Sequence, residues 1–254
     1  TLYADLDSSV IRELPPGRQP VHTVALPDKR RAEVGARVQA AVRSGARVYW
    51  VCPLIEESEH LESEAAEPTA AALAEALPDV RVGLIHGRMA SADKERVMKA
   101  FAQGKVQLLV ATTVIEVGVD VPAATLMIIE NAERLGLSQL HQLRGRVGRG
   151  RDSSACVLLY RSPLATMARA RLDVLRGTND GFEVAQRDLE LRGPGEVLGT
   201  RQTGLMQLRV ADLVRDADLM PAVQELAEKL AALPEVTAEL MQRWIGSGSR
   251  FGEV

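Results

Sequence analysis

Apolar and polar positions change character twice along the chain. Residues 1–20 hold Pro15, Pro16, Gly17 and Pro20 and no sustained periodicity, which predicts an extended linker. From residue 21, short apolar runs of strand length recur at 21–26, 47–52, 80–86, 108–111, 125–129 and 155–160. Helical patterns separate them. Val34, Val38 and Val42 stand four apart over 28–44, and Gly45 supplies a stop. An alanine-rich helix is predicted over 69–77, and another over 91–104, capped by Ser91 and carrying Val97, Met98 and Phe101 up to Gly104. Beyond about residue 163 the strand pattern stops. Two helices at 167–176 and 182–191 are predicted to form a hairpin through residues 177–181, followed by a glycine-rich stretch at 192–204. Two or three further helices close the chain, with Pro221 and Pro234 as starts or breaks.

Strands interleaved with helices predict an α/β fold, with a mainly parallel sheet covered on both faces. The sheet domain is expected over 21–162 and a helical extension over 163–254. Open α/β sheets bind ligands beyond the carboxyl ends of their strands. The polar and glycine-rich segments are expected mostly at those ends.

Composition narrows the function classes. No apolar run approaches the roughly 20 residues of a membrane-spanning helix, and the start of the chain is not a signal sequence. The first residue is not methionine, so the chain is expected to begin inside a longer protein. A net charge of −3 argues against a generally adhesive nucleic-acid binder but leaves room for local patches. Cys52 and Cys156 each fall in an apolar run and the four histidines lack ligand spacing, so neither a zinc site nor a disulfide is expected. Cytoplasm fits best. The acidic run at 56–67 reads as a solvated loop or helix face.

The strongest chemical signal is Gln142-Leu143-Arg144-Gly145-Arg146-Val147-Gly148-Arg149-Gly150. From Arg134 to Arg161 there are six arginines and one acid, a local charge of +5. A guanidinium is planar, permanently charged and able to donate two parallel hydrogen bonds, which suits it to phosphate. Intervening glycines allow close anion approach. Neither a P-loop nor a G-x-G-x-x-G fingerprint occurs, which speaks against a dehydrogenase-like dinucleotide enzyme. Two further strand ends carry chemistry. Thr112, Gly118 and Asp120 follow the run at 108–111, and His86 and Arg88 follow the run at 80–86, where both are available to a nucleic-acid strand. Taken singly, Thr112 is equally a helix cap, Asp120 a turn former and His86 a structural histidine.

Together these segments resemble the second RecA-like lobe of superfamily 2 helicases. Residues 48–53 resemble motif IV, 111–122 motif V and 142–149 motif VI. Asp188-Leu189-Glu190-Leu191-Arg192-Gly193-Pro194-Gly195-Glu196, with Gly199-Thr200-Arg201-Gln202-Thr203-Gly204, resembles the translocation motif shared by the RecG and Mfd families. The wording of motifs IV and V and of Arg149-Gly150 lies closer to RecG. The resemblance covers nearly the whole chain and implies its carboxyl-terminal half, without the P-loop lobe or the amino-terminal wedge. It implies that Arg146 and Arg149 reach across an interlobe cleft to the ATP phosphates. Gln142, Gly118 and Asp120 would lie near the nucleotide, and Thr112 would touch DNA phosphate. Arg171, Arg192 and Gln202 would join the hairpin to the following loop and turn lobe closure into a stroke on duplex DNA. Glu190 and Arg187 form ion pairs there or are plain surface charges.

The implied cofactor is ATP with Mg²⁺ held mainly by the first lobe. The implied partners are branched double-stranded DNA, the wedge domain and first lobe of the same protein, and single-strand DNA-binding protein in a bacterial nucleoid. The fragment alone is not expected to hydrolyse ATP. An Mfd-like transcription-repair translocase and a non-hydrolytic DNA-binding module are the alternatives.

Overall fold

The computed structural model describes residues 19–53, 61–112, 121–150, 152–197 and 216–244. Its centre is a six-stranded sheet of order β1-β6-β5-β2-β4-β3, made of β1 (His22–Pro27), β2 (Arg47–Val51), β3 (Val82–Ile85), β4 (Leu108–Ala111), β5 (Ala124–Ile129) and β6 (Ala155–Tyr160). Every neighbouring pair is parallel. Parallel neighbours need crossovers, and the helical patterns between the apolar runs supply them.

Alternation along β2 distributes its side chains between two cores. Val48 and Trp50 face one core, together with Val34, Val38 and Val42 of α1 (Arg31–Arg43) and Leu73 of α2 (Leu61–Ala76). Tyr49 and Val51 face the other. There they meet Met98 and Phe101 of α3 (Ser91–Ala102), Leu137, Leu140 and Leu143 of α4 (Leu137–Arg144), and Leu172 and Leu175 of α5 (Thr166–Gly177). The rings of Tyr49 and Phe101 lie 4.8 Å apart at their centroids. Each such side chain, fully buried, contributes roughly 1.5–3 kcal/mol. Since α5 donates Ala168, Leu172 and Leu175 to burial, the helical hairpin starts as part of the sheet's own core.

α6 (Gly181–Val197) completes the hairpin. Among the described residues, contacts divide the chain into two compact units, one ending at Leu191 and the other beginning at Arg192. In the second unit α7 (Met220–Ala231) has Pro221 in its first turn, and α8 (Pro234–Trp244) starts on a proline. The hydroxyl of Thr237 donates to the Leu230 carbonyl at 2.7 Å, tying the two helices together.

Several boundaries differ from the sequence reading. The segment 28–44 opens as a 3₁₀ turn at Asp28–Arg30 before α1 begins. α2 starts eight residues before the expected 69 and carries Pro68 in its interior. Ser91 is the first helical residue and not a cap; Ala90 occupies the capping position without a side-chain hydrogen bond. α6 runs six residues past the expected 191, through Gly193, Pro194 and Gly195. Glycine and proline weaken a helix, but extending an existing helix costs far less than nucleating one. Among the described residues no helix is long and apolar enough to cross a membrane.

Candidate functional site

Burial on α4 is set by Leu137, Leu140 and Leu143, which leaves Gln142 on the exposed side. At its amino end the Gln139 side chain accepts from the Gly136 N–H at 3.1 Å. Beyond Gly145 the chain turns back. Val147 is fully buried and pins the loop. Gly148 has φ +76°, and a Cβ there would lie 2.8 Å from the Val21 side chain. A Cβ on Gly150 would lie 2.7 Å from the Pro122 carbonyl oxygen. No larger residue fits either position without a shift.

That loop leaves Arg149 exposed and Arg146 half-buried, neither sunk into the core. The Arg149 Nε–H donates to the Gly145 carbonyl at 3.1 Å, which orients the guanidinium over the end of α4. The Arg146 amide donates to the Leu143 carbonyl at 3.0 Å, while its guanidinium makes no hydrogen bond or ion pair among the described residues. Two guanidinium groups carried on a pinned turn are suited to an anion arriving from outside.

The loop also corrects one expectation. Val21 precedes β1 and Pro122 precedes β5, so Arg146 and Arg149 sit at the amino ends of the strands and not at the carboxyl ends. A helix that covers a parallel sheet returns the chain to the start side, and the turn leaving it must lie there. Pro122 also closes the motif V region, so the end of that segment meets motif VI directly. Gly118 and Asp120 themselves lie outside the described residues.

The opposite rim holds the other candidates. Thr112 follows β4, fully buried, with its amide donating to the Ile85 carbonyl at 3.2 Å. Its hydroxyl finds no partner among the described residues, and neither does Nδ1 of the adjacent His86. On its other nitrogen, His86 Nε2 lies 3.7 Å from the Glu67 carboxylate. Arg88 is exposed. An unpaired buried polar group costs about 1–3 kcal/mol, so two side by side mark a rim where a polar neighbour would be stabilising. Thr112 presents no surface to a bound strand in this conformation. Also at this rim, the Glu130 carboxylate accepts from Trp50 Nε1 at 2.9 Å and from Arg31 at 2.8 Å. The Arg31 guanidinium stacks 5.2 Å from the Trp50 ring, so this cluster braces the strand ends.

Of the residues given to coupling, Arg171 donates to the Glu133 carbonyl at 2.9 Å. The backbone of Arg192 lies in α6, and Gln202 is outside the described residues. Arg187 and Glu190 pair with each other at 3.0 Å on the surface of α6, an exposed contact worth roughly 0–1 kcal/mol.

One arginine behaves against the reading of the basic segment. Arg144 is only 3% exposed, and burial depresses its pKa. Its Nη1 donates to the Leu175 carbonyl at 2.8 Å and the Thr178 carbonyl at 2.7 Å. Its Nη2 lies 2.8 Å from His141 Nδ1. The spacing 137, 140, 144 continues the buried stripe of α4, and that periodicity is the signal that separates Arg144 from its neighbours.

Similarity to known proteins decides the family. The description "Helicase conserved C-terminal domain" matches residues 34–151, and "ATP-dependent DNA helicase RecG, domain 3, C-terminal" matches residues 178–240. The chain is 60% identical over 255 residues to the ATP-dependent DNA helicase RecG of Acidithiobacillus ferridurans, covering 100% of this chain and 37% of that protein. The chain belongs to the RecG family. To the RecG of Escherichia coli (strain K12) it is 60% identical over 253 residues, covering 99% of this chain and 36% of that one. A structure of RecG bound to a three-way DNA junction superposes with a TM-score of 0.65 at 43% identity, covering 82% of this chain and 26% of that one. The chain therefore spans little more than a third of the RecG relatives it matches. These matches favour RecG over the Mfd-like alternative, and they agree with the RecA-like parallel sheet described above.

Proposed function

We propose that this chain is the second motor lobe and coupling element of a longer ATP-dependent DNA translocase of the RecG type, remodelling branched duplexes such as stalled forks and Holliday junctions. The observation that carries the reading is the pinned motif VI loop, which holds Arg146 and Arg149 off the core at one rim of the sheet. In the cycle, ATP bound mainly by the upstream lobe draws the two lobes together. Arg146 and Arg149 then neutralise charge developing on the transferred phosphoryl group, an effect worth roughly 10³–10⁵ in rate. Gln142, Gly118 and Asp120 complete the nucleotide side of the cleft. His86 and Arg88 contact the nucleic-acid backbone from the opposite rim. Arg171, Arg192 and Gln202 pass closure to the segment after the hairpin.

No group of three or more His, Cys, Asp or Glu side chains able to hold a metal occurs among the described residues. No step above runs through a metal ligand of this chain. The setting we propose is a bacterial nucleoid, with single-strand DNA-binding protein as a further partner at forks.

The test is a strand-separation assay with the longer protein on a labelled three-way DNA junction. ATP is expected to drive unwinding and a non-hydrolysable analogue is not. Unwinding without hydrolysis, or ATP turnover that ignores added junction DNA, contradicts the proposal.

A further inference from the structure

Arg144 stands two residues before Arg146 and five before Arg149, yet it points the other way, into the protein. Its two short hydrogen bonds end on Leu175 and Thr178, at the last turn of α5. Carbonyls at a helix carboxyl end lack intrahelical partners and carry the negative end of the helix dipole. A buried guanidinium donating to two of them is a charged cap supplied by a different helix.

Two further contacts run in parallel. At Val21 the amide donates to the Asn179 side-chain oxygen at 3.2 Å, while the side chain of the same residue is the surface on which Gly148 rests. Gly181, the first residue of α6, stands so close to His141 that a Cβ would lie 3.0 Å from its Nε2. The start of motif VI therefore touches the hairpin turn at residues 177–181 through Arg144, with His141 just before it, and its far end reaches that turn indirectly, through Val21. These contacts all lie within the unit that ends at Leu191.

We infer that Arg144 is a positioning residue that makes the last turn of α4 and the hairpin turn one rigid piece, so that a nucleotide-driven displacement of Arg146 and Arg149 moves the hairpin with it. The inference rests on the translocase reading but adds a residue that touches neither nucleotide nor DNA. The link is mechanical. A loose link lets the arginines move without the hairpin, and ATP is then spent without a stroke.

The experiment measures base pairs unwound per ATP hydrolysed by the longer protein on a three-way DNA junction, for wild type, Arg144→Met, Arg144→Lys and Gly181→Ala. Arg144→Met removes both carbonyl bonds and is expected to lower the ratio at least threefold. Arg144→Lys keeps a cationic donor and is expected to recover part of it. Gly181→Ala pushes the hairpin turn off His141 without burying or removing a charge, so it decides the matter if Arg144→Met fails to fold. It too is expected to lower the ratio at least threefold. A merely structural role lowers ATP turnover and unwinding together at constant ratio, and a ratio within threefold of wild type in folded Arg144→Met, or in Gly181→Ala where Arg144→Met does not fold, overturns the inference. If the wild-type protein shows no ATP-dependent unwinding, the translocase reading itself fails, which is a separate result.

Discussion

Arg144 and Arg149 are five positions apart in one basic segment and have opposite environments. One is buried and donates to backbone carbonyls; the other lies on the surface. Charge counting treats them alike, because a guanidinium is cationic wherever it sits; only the stripe of α4 tells them apart. The two cysteines need no such distinction. Both are free thiols, and burial pushes each up to about 12. The folded protein thus holds the neutral thiol where the unfolded chain, with an ordinary value of 9.0, begins to ionise. The stabilisation is fully present below that ordinary value and is lost as pH rises from it toward the folded one. Each thiol is expected to cost about 1.4 kcal/mol per pH unit in that window. Urea denaturation at pH 8 and pH 10 checks this, and Cys52→Ala or Cys156→Ala should flatten the decline. Both thiols should also resist a thiol-disulfide reagent in the native state at pH 8 and react after denaturation; rapid native reaction of either contradicts the burial.

At the level of elements, the motif VI loop depends on backbone space more than on side chains. Gly148→Ala meets both the left-handed φ and the Val21 contact, so a loss of about 2 kcal/mol or more is expected. For a domain of this size that lowers Tm by roughly 4–8 °C; a Tm within about a degree of wild type means the loop is not held as described. The strands were legible because they are largely apolar runs, with β2, β4 and β6 almost wholly buried, and β6 has the bounds the pattern predicted. Helix ends were less legible. Pro68 and the Gly193-Pro194-Gly195 run look like breaks in sequence, yet each lies inside a helix. The rim that carries the arginines was misread, although a parallel sheet decides it: the crossover helix returns the chain to the amino ends of the strands, and the turn leaving it lies there. Gly118, Asp120 and Gln202 fall outside the described residues, so their roles rest on the family resemblance alone.

Across the whole molecule the sheet keeps two kinds of chemistry apart. Strands of four to six residues, at about 3.3 Å per residue, place roughly 13–20 Å between the rim of Arg146 and Arg149 and the rim of His86, Arg88 and Thr112. Over that distance salt screens charge against charge, so communication must pass through packed elements. On the amino rim Arg144 joins the last turn of α4 to the hairpin turn. A net charge of −3 hides this arrangement, in which Arg146 and Arg149 stand together on one rim.

The account rests on Arg149 acting on a nucleotide and not on the fold. The most direct measurement is steady-state ATP hydrolysis by the longer protein with saturating junction DNA, comparing wild type with Arg149→Ala, alongside DNA affinity and Tm. Turnover is expected to fall about 10³-fold or more, with Tm and junction affinity near wild type, because the side chain is exposed. Turnover within threefold of wild type, or a loss of activity that follows a collapse in Tm, would contradict the account.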